Sequence, residues 1–410
     1  MIVDTTATHI RTHWYSYAKD IESEVIQIRR HLHRHPELSF KEEQTSNFVY
    51  QQLMSYGIRD IRRNVGNGYG IVAKVHGNGK GPVIALRADM DALPITEDTD
   101  LKFKSINSGV MHACGHDAHT AILLAVARII NRYRFDFVGT IVFIFQNAEE
   151  CKPGGAKSMI EDGALESVEQ IYGIHVVPEQ DVGNVGYSFD YGSAASDTFK
   201  IRIQGRGGHG AKPHQSIDTV IIASEVITNL QTIVSRYVDP IHPAVLSFAS
   251  VNAGSGVANN IIADKAVISG TVRTFSEDIR QCIKRKFFQM TKAIVEMNDG
   301  SVDIHYQDGY PALLNHKDIV ESTINHLEDS NLFKQLVEIG PMNGAAMIGE
   351  DFAYYLKEVP GAFLNVGVKH SSIESYPLHH PKFNLNEEGL LKGVEVYLTI
   401  LMNQLKEVES

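Results

Sequence analysis

The stretch from Pro82 to Pro94, PVIALRADMDALP, decides the fold class. Its run from Val83 to Leu86 is short, apolar and closed by acidic residues, as in a buried strand that ends at a site. Such a strand delivers Asp89 and Asp91 to its carboxyl end. Downstream, Ala118 to Ile130 is apolar apart from polar punctuation, GTIVFIFQNAEE (139–150) is strand-like, GGAKSMIEDGAL (154–165) looks helical, and QIYGIHVV (170–177) is another buried strand. Upstream, Ile21, Val25, Ile28 and Leu32 recur at helical spacing in a helix from Tyr17 to His35 that Pro36 stops. A second helix is expected to start at Ser39, with Glu42 completing a capping box, and to end at Gly57. Alternating strands and helices predict an α/β sheet covered on both faces, with ligands beyond the carboxyl ends of its strands.

The region from Asp197 to Asp308 reads differently. FKIRIQGRG alternates like a half-exposed strand, and Ile217 to Tyr237 is an amphipathic helix. AVLSFASVNAG and AVISGTVRTF are two strands around a loop, Ser276 to Asn298 is a second helix, and VDIHYQDG is a last strand. The order β-α-β-β-α-β is the split pattern of ferredoxin-like domains, here inserted between two parts of a larger α/β domain. The expected division is 1–194 with 309–410 for the larger domain and 195–308 for the insert. The α/β pattern then resumes with a helix from Ile319 to Leu332, the segment GEDFAYYLKEVPGAFLNVGV, and a closing helix from Asn386 to Leu405.

Composition bounds the function. The 410 residues suffice for two or three domains at the usual size of roughly 100 to 200 residues each. A net charge of -11, from 38 Lys+Arg against 49 Asp+Glu, disfavours nucleic acid and anionic membrane surfaces as partners. Three cysteines far apart in sequence do not make a disulfide framework, which suits a reducing compartment such as the cytoplasm. The apolar runs fall short of the roughly 18 residues that a membrane-spanning helix needs, and the start, MIVDTTATHIRTHW, lacks the pattern of a signal peptide. Histidine is the residue out of line, with nineteen copies.

The densest chemical signal is MHACGHDAH, where Cys114 and His116 flank a glycine just before a helix. Thiolate and imidazole suit zinc and other borderline or soft divalent ions, and one intervening residue lets both converge on one centre in a turn. The alternative is a small buried thiol beside a hydrogen-bonded structural histidine. Glu149 and Glu150 end an apolar strand, where adjacent carboxylates repel unless a cation or proton sits between them. Neighbouring strand side chains point to opposite faces, so both reach one centre only if the chain turns there; Pro153-Gly154-Gly155 offers a turn. His175 ends the strand in YGIHVV, and His379 with His380 precedes Pro381 in LHHP.

In this order the motifs RRHLHRHPELSF, RADMDALP, VMHACGHDAHTA, FQNAEE with GGAKSMIEDGAL, GIHV, GRGGHGAKPH, GTVRTF, GEDFAYY and LHHP resemble the amidohydrolase branch of the co-catalytic metallo-aminoacylase and carboxypeptidase family. That branch includes hippurate hydrolases, auxin-amino acid conjugate hydrolases and N-acetyldiaminopimelate deacetylases. The resemblance covers nearly the whole chain. It implies a catalytic domain holding two divalent metal ions, with manganese or zinc foremost and nickel or cobalt as alternatives. It also implies a smaller lid domain that forms a homodimer. Carried over by position, the metal ligands are Cys114, His116, Glu150, His175 and His379, the last because the family pattern is L-H-x-P. Glu149 is the general base, taking a proton from a metal-bridging water and passing it to the leaving amine. Asp91 orients a ligand or tunes the base; the other reading is a carboxylate capping a loop.

In the insert, His209 resembles the family's lid histidine, which reaches across the dimer to the oxyanion of the other active site. Asn260 and Arg273 match positions that face the substrate, where Arg273 pairs with a free carboxylate; an exposed strand arginine is the alternative. His33, His35 and His214 support helix and loop packing. Asp89 stands where the wider family has a metal-binding histidine, Asn147 replaces a common proline, and Ala263 another. The expected activity is hydrolysis of the amide of a small N-acyl amino acid. A carboxypeptidase or dipeptidase using the same water attack, or a binding protein that has lost turnover, are the alternatives.

Overall fold

The structure of the protein, a computed structural model, describes residues 5–66, 68–254, 258–340, 349–371 and 374–407. The first four residues of MIVDTTATHIRTHW lie outside them. The chain forms two compact units. The first holds the chain up to Gly192, Leu314 to Gly340 and Asp351 onward; the second holds Ser193–Leu313.

The first unit is built on an eight-stranded mixed sheet in the order Asp60–Val65, Gly70–His76, Thr140–Gln146, Val83–Asp89, Gln170–Asp181, Gly361–Lys369, Asn184–Tyr187 and Gln335–Glu338. Its four central strands run parallel to one another. Alternation within the strand explains why the sequence there reads as continuously apolar. Ile141, Phe143 and Phe145 join the main core, whereas Val142 and Ile144, pointing the other way, are just as buried outside it. The helix His116–Arg132 lies against the core-facing side, with Ala121, Ile122, Leu124 and Ala125 among its buried residues.

Two helical expectations need correction. The run from Tyr17 to His35 is not one helix: Thr5–Asp20 and Glu22–Arg34 meet at Ile21, which nothing in the local sequence explains. The helix expected from Ser39 begins at Glu43 and ends at Ser55, and no capping box forms. The Ser39 hydroxyl donates to Asp91 Oδ2 at 2.7 Å, and Glu42 Oε1 accepts the Ala148 N–H at 2.7 Å. Both side chains serve tertiary contacts instead of the helix end.

The second unit has a four-stranded antiparallel sheet in the order Ala244–Ala253, Lys265–Thr274, Ala195–Gln204 and Ser301–Gln307. Phe199, Ile201 and Ile203 face its core while Lys200, Arg202 and Gln204 face water, the alternation of a sheet packed on one side. The covering helices, Thr219–Tyr237 and Glu277–Met297, supply Ile222, Val226, Leu230, Ile283 and Phe287. Asp218 caps the first of these by accepting from the Val220 and Ile221 N–H groups, which sets its start two residues after Ile217. Buried Asp197 accepts bonds from Arg280, the Gly309 N–H and the Tyr306 hydroxyl.

Candidate metal centre

The strand Val83–Asp89 pairs in register with Thr140–Gln146, placing Asp89 opposite Gln146, and on its other side with Gln170–Asp181. The loops leaving the first two strands carry Asp91 and Glu149 with Glu150, whereas His175 sits within the third strand, which does not end there as the sequence suggested but runs on to Asp181. Gly115 adds the next donors. Its left-handed backbone, φ 92°, turns the chain between Cys114 and the helix that opens with His116. A Cβ there would meet Val176 Cγ2 at 2.3 Å, so only glycine fits.

The donors converge. Those of Cys114, His116 and His175 lie within 4.8 Å of one another, as do those of Cys114, Glu150 and His379, and those of His116, Glu149 and Glu150. Cys114 Sγ is 3.5 Å from His175 Nε2, and Glu150 Oε1 is 3.3 Å from His379 Nε2 and 3.9 Å from His116 Nε2. His379, in a left-handed conformation, is tied in by its N–H, which donates to Ala113 O at 2.8 Å. Its neighbour His380 stacks on Tyr376 instead.

Two adjacent glutamates reach one centre because the backbone reverses as soon as the strand ends at Gln146. Ala148 takes φ 54°, ahead of the Pro153–Gly155 run that the sequence suggested. The Glu150 N–H then donates to Asp91 Oδ2 at 2.9 Å, and Asp91 Oδ1 pairs with His116 Nδ1 at 3.2 Å. That bond leaves Nε2 of His116 directed at Glu150.

Charge explains the protonation behaviour. Burial would lower the His116 pKa, but Asp89, the bond to Asp91 and Glu150 raise it to about 10. Burial and then Glu150, Glu149 and Asp89 push the Cys114 thiol well above its ordinary range. The field thus calls for a positive charge. His116 Nε2 is buried and without a hydrogen-bond partner among the described residues. An orphaned imidazole nitrogen, a thiol that ionises only beside a cation and two facing carboxylates are a donor set that fits divalent metal ions. His175 suits the same role: burial keeps it neutral, and its Nδ1–H donates to Val176 O at 2.8 Å, leaving the Nε2 lone pair facing Cys114.

Sequence reasoning missed the supports of this cluster. His119 Nδ1 lies 2.6 Å from Asp89 Oδ1, and its Nε2 accepts the Val176 N–H at 3.0 Å, bracing the residue next to His175. Its signal was the three-residue spacing from His116, which puts both on one helix face. Arg87 binds Asp89, Gln146 and Asp351 behind it. Ser39 and Glu42 were read as a helix cap.

The remaining candidates belong to the second unit. His209 is exposed, its Nδ1 accepting the Ala211 N–H at 3.0 Å. Asn260 lies beside it, since its carbonyl accepts the Gly210 N–H at 2.7 Å. Arg273 is half-buried on the strand Lys265–Thr274, where burial lowers its pKa.

Known proteins share this chain's pattern. It is 45% identical over 297 residues to an N-acyl-L-amino acid amidohydrolase of Geobacillus stearothermophilus, covering 72% of this chain and 79% of that one. It is 40% identical to an N-acetyl-L-cysteine deacetylase of Bacillus subtilis, covering 91% and 86%. A crystal structure of a dinuclear metal binding peptidase from the M20 family, also of Bacillus subtilis, superposes with a TM-score of 0.79 at 33% identity, covering 94% and 98%. Residues 85–403 match the model of Peptidase family M20/M25/M40, and the chain belongs to that family.

Proposed function

We propose that this protein is a metal-dependent amidohydrolase that cleaves the amide of small N-acyl amino acids, releasing a carboxylic acid and a free amino acid. The observation that carries the reading is the convergence of Cys114, His116, Glu150, His175 and His379 in overlapping groups, with Glu149 beside His116 and Glu150. These five residues hold two divalent ions. Bound there, the ions supply Lewis acidity toward the scissile carbonyl and a water acidic enough to react at neutral pH. Glu149 accepts the proton of the attacking water on a carboxylate oxygen as oxygen adds to the carbonyl carbon. It then delivers that proton to the amine nitrogen as the C–N bond breaks. Asp91 fixes the His116 tautomer and the Glu150 backbone. The thiol of Cys114 favours zinc, while the carboxylate and imidazoles equally suit manganese.

Within the second unit, residues 195–308 are assigned as a ferredoxin-like lid and dimerisation domain. Supporting this are its β-α-β-β-α-β order and a sheet order of fourth, first, third and second strand. A homodimer is supported by the edge strand Ala244–Ala253, which exposes Val245 and Val251. His209 is assigned to oxyanion stabilisation across that dimer, and Asn260 and Arg273 to the substrate. Three free cysteines support a cytoplasmic location. Among the described residues no helix is long and apolar enough to cross a membrane.

The test is metal analysis of the purified protein coupled to a panel of N-acetyl and N-benzoyl amino acids, before and after chelation. Turnover that chelation abolishes and metal restores is expected. Much faster hydrolysis of dipeptides or longer peptides would instead make it a peptidase, and absence of any turnover a binding protein.

A further inference from the structure

We propose that Glu42 is a positioning residue for the reaction, its buried carboxyl holding the left-handed turn that aims Glu149 and Glu150 into the centre. The inference rests on the reading of those two residues as base and ligand. Glu42 is fully buried, and one oxygen, Oε1, accepts two backbone N–H groups, from Phe40 at 3.1 Å and from Ala148 at 2.7 Å. Both donors belong to non-glycine residues in the left-handed region, with φ 64° at Phe40 and φ 54° at Ala148. A non-glycine residue in that region is disfavoured by its own Cβ and persists only where its surroundings fix it.

The two strained positions do different jobs. Phe40 brings the chain around so that Ser39 reaches Asp91, whose Oδ2 also takes the Glu150 N–H. Ala148 breaks the strand alternation that would otherwise send Glu149 and Glu150 to opposite faces. The turn is therefore gripped at both ends, at Ala148 by Glu42 and at Glu150 by Asp91. Only the second grip comes from a residue in contact with His116. Burial, then the nearby Asp91, raise Glu42 to about 8, so in the metal-free protein its side chain is the neutral acid at pH 7. Glutamine copies that shape and keeps the accepting oxygen.

The experiment compares wild type, Glu42→Ala and Glu42→Gln as full-length protein loaded with Mn²⁺, reading kcat and KM on N-acetyl amino acids and amide hydrogen exchange across residues 147–151. Glu42→Ala is expected to speed exchange there about tenfold or more and to lower kcat by roughly 10- to 100-fold with KM within about threefold, since a displacement near 1 Å costs about that much. Glu42→Gln is expected to restore both to within about threefold of wild type. If Glu42→Ala does not fold, Glu42→Met, of similar length but without an acceptor, takes its place. Unchanged exchange and kcat in the acceptor-free variant would overturn the proposal, and so would a folded Glu42→Gln as impaired as alanine. If wild type hydrolyses no N-acyl amino acid, the proposed function fails, while the exchange comparison still decides whether Glu42 holds the turn.

Discussion

Asp91 holds Glu150 by its backbone: the Glu150 N–H donates to Asp91 Oδ2 at 2.9 Å while Oδ1 of the same carboxylate pairs with His116 at 3.2 Å. One side chain thus sets the separation of two metal-ligand candidates. Asp91→Ala should weaken metal binding by about 10- to 100-fold, the usual cost of removing the partner of a liganding histidine. Titration of the metal-free protein with Zn²⁺ or Mn²⁺ reads the effect, with Asp91→Asn intermediate because it keeps one accepting oxygen.

Glu149 carries the proton in the proposed reaction and is 6% exposed. Glu149→Gln keeps its size and removes its basicity. It should lower kcat by about 10²- to 10⁴-fold and leave metal content and KM near wild type. Steady-state kinetics beside metal analysis check this, and a fall in metal content as large as the fall in kcat would count against a purely basic role.

His119 touches no substrate in this scheme. It links Asp89 to the Val176 N–H and so braces the strand segment that carries His175. His119→Ala should cost about 10- to 100-fold in metal affinity, and kcat should recover when the metal concentration is raised. Loss of kcat at saturating metal would show a role beyond bracing.

The raised pKa of Glu42 makes stability depend on pH. A carboxyl whose folded pKa, about 8, exceeds its ordinary value of 4.5 binds its proton more tightly in the folded state. Its contribution is therefore favourable below pH 4.5 and lost as pH rises through 8. In the metal-free protein, Glu42→Gln should match wild type near pH 4 and gain over it progressively to pH 8.5. Thermal unfolding of both across that range checks the sign, and a gain that grew toward low pH would refute it.

Much of the centre was legible because its donors interrupt apolar runs. Glu149 and Glu150 follow the end of a buried strand, Cys114 and His116 stand at the start of a buried helix, and His175 lies within a buried strand, all places where polar side chains need a reason to be. Ser39 and Glu42 were misread for a physical reason. A capping box is a local pattern worth about 1 kcal/mol, and a buried backbone N–H in a strained turn claims the same carboxylate more strongly. The reversal at Ala148 was invisible because alanine carries no bias toward positive φ; only the pairing of two glutamates hinted that the chain must turn. Helix ends shifted by a residue or two elsewhere, as at Asp218, where the capping side chain decided the start.

The pairing of Gln170–Asp181 with Gly361–Lys369 sets a schedule for biosynthesis. His175 lies in register with Asn365, about 190 residues later in the chain. At the usual rate of synthesis, roughly 5 to 20 residues per second, that central strand waits about 10 to 40 s for its neighbour. During that interval the second unit, whose four sheet strands all fall between Ala195 and Gln307, has everything it needs to fold. The first unit meanwhile presents a bare hydrophobic sheet edge of the kind that recruits other nascent chains. Chaperone demand during synthesis should therefore track the delay between these two strands.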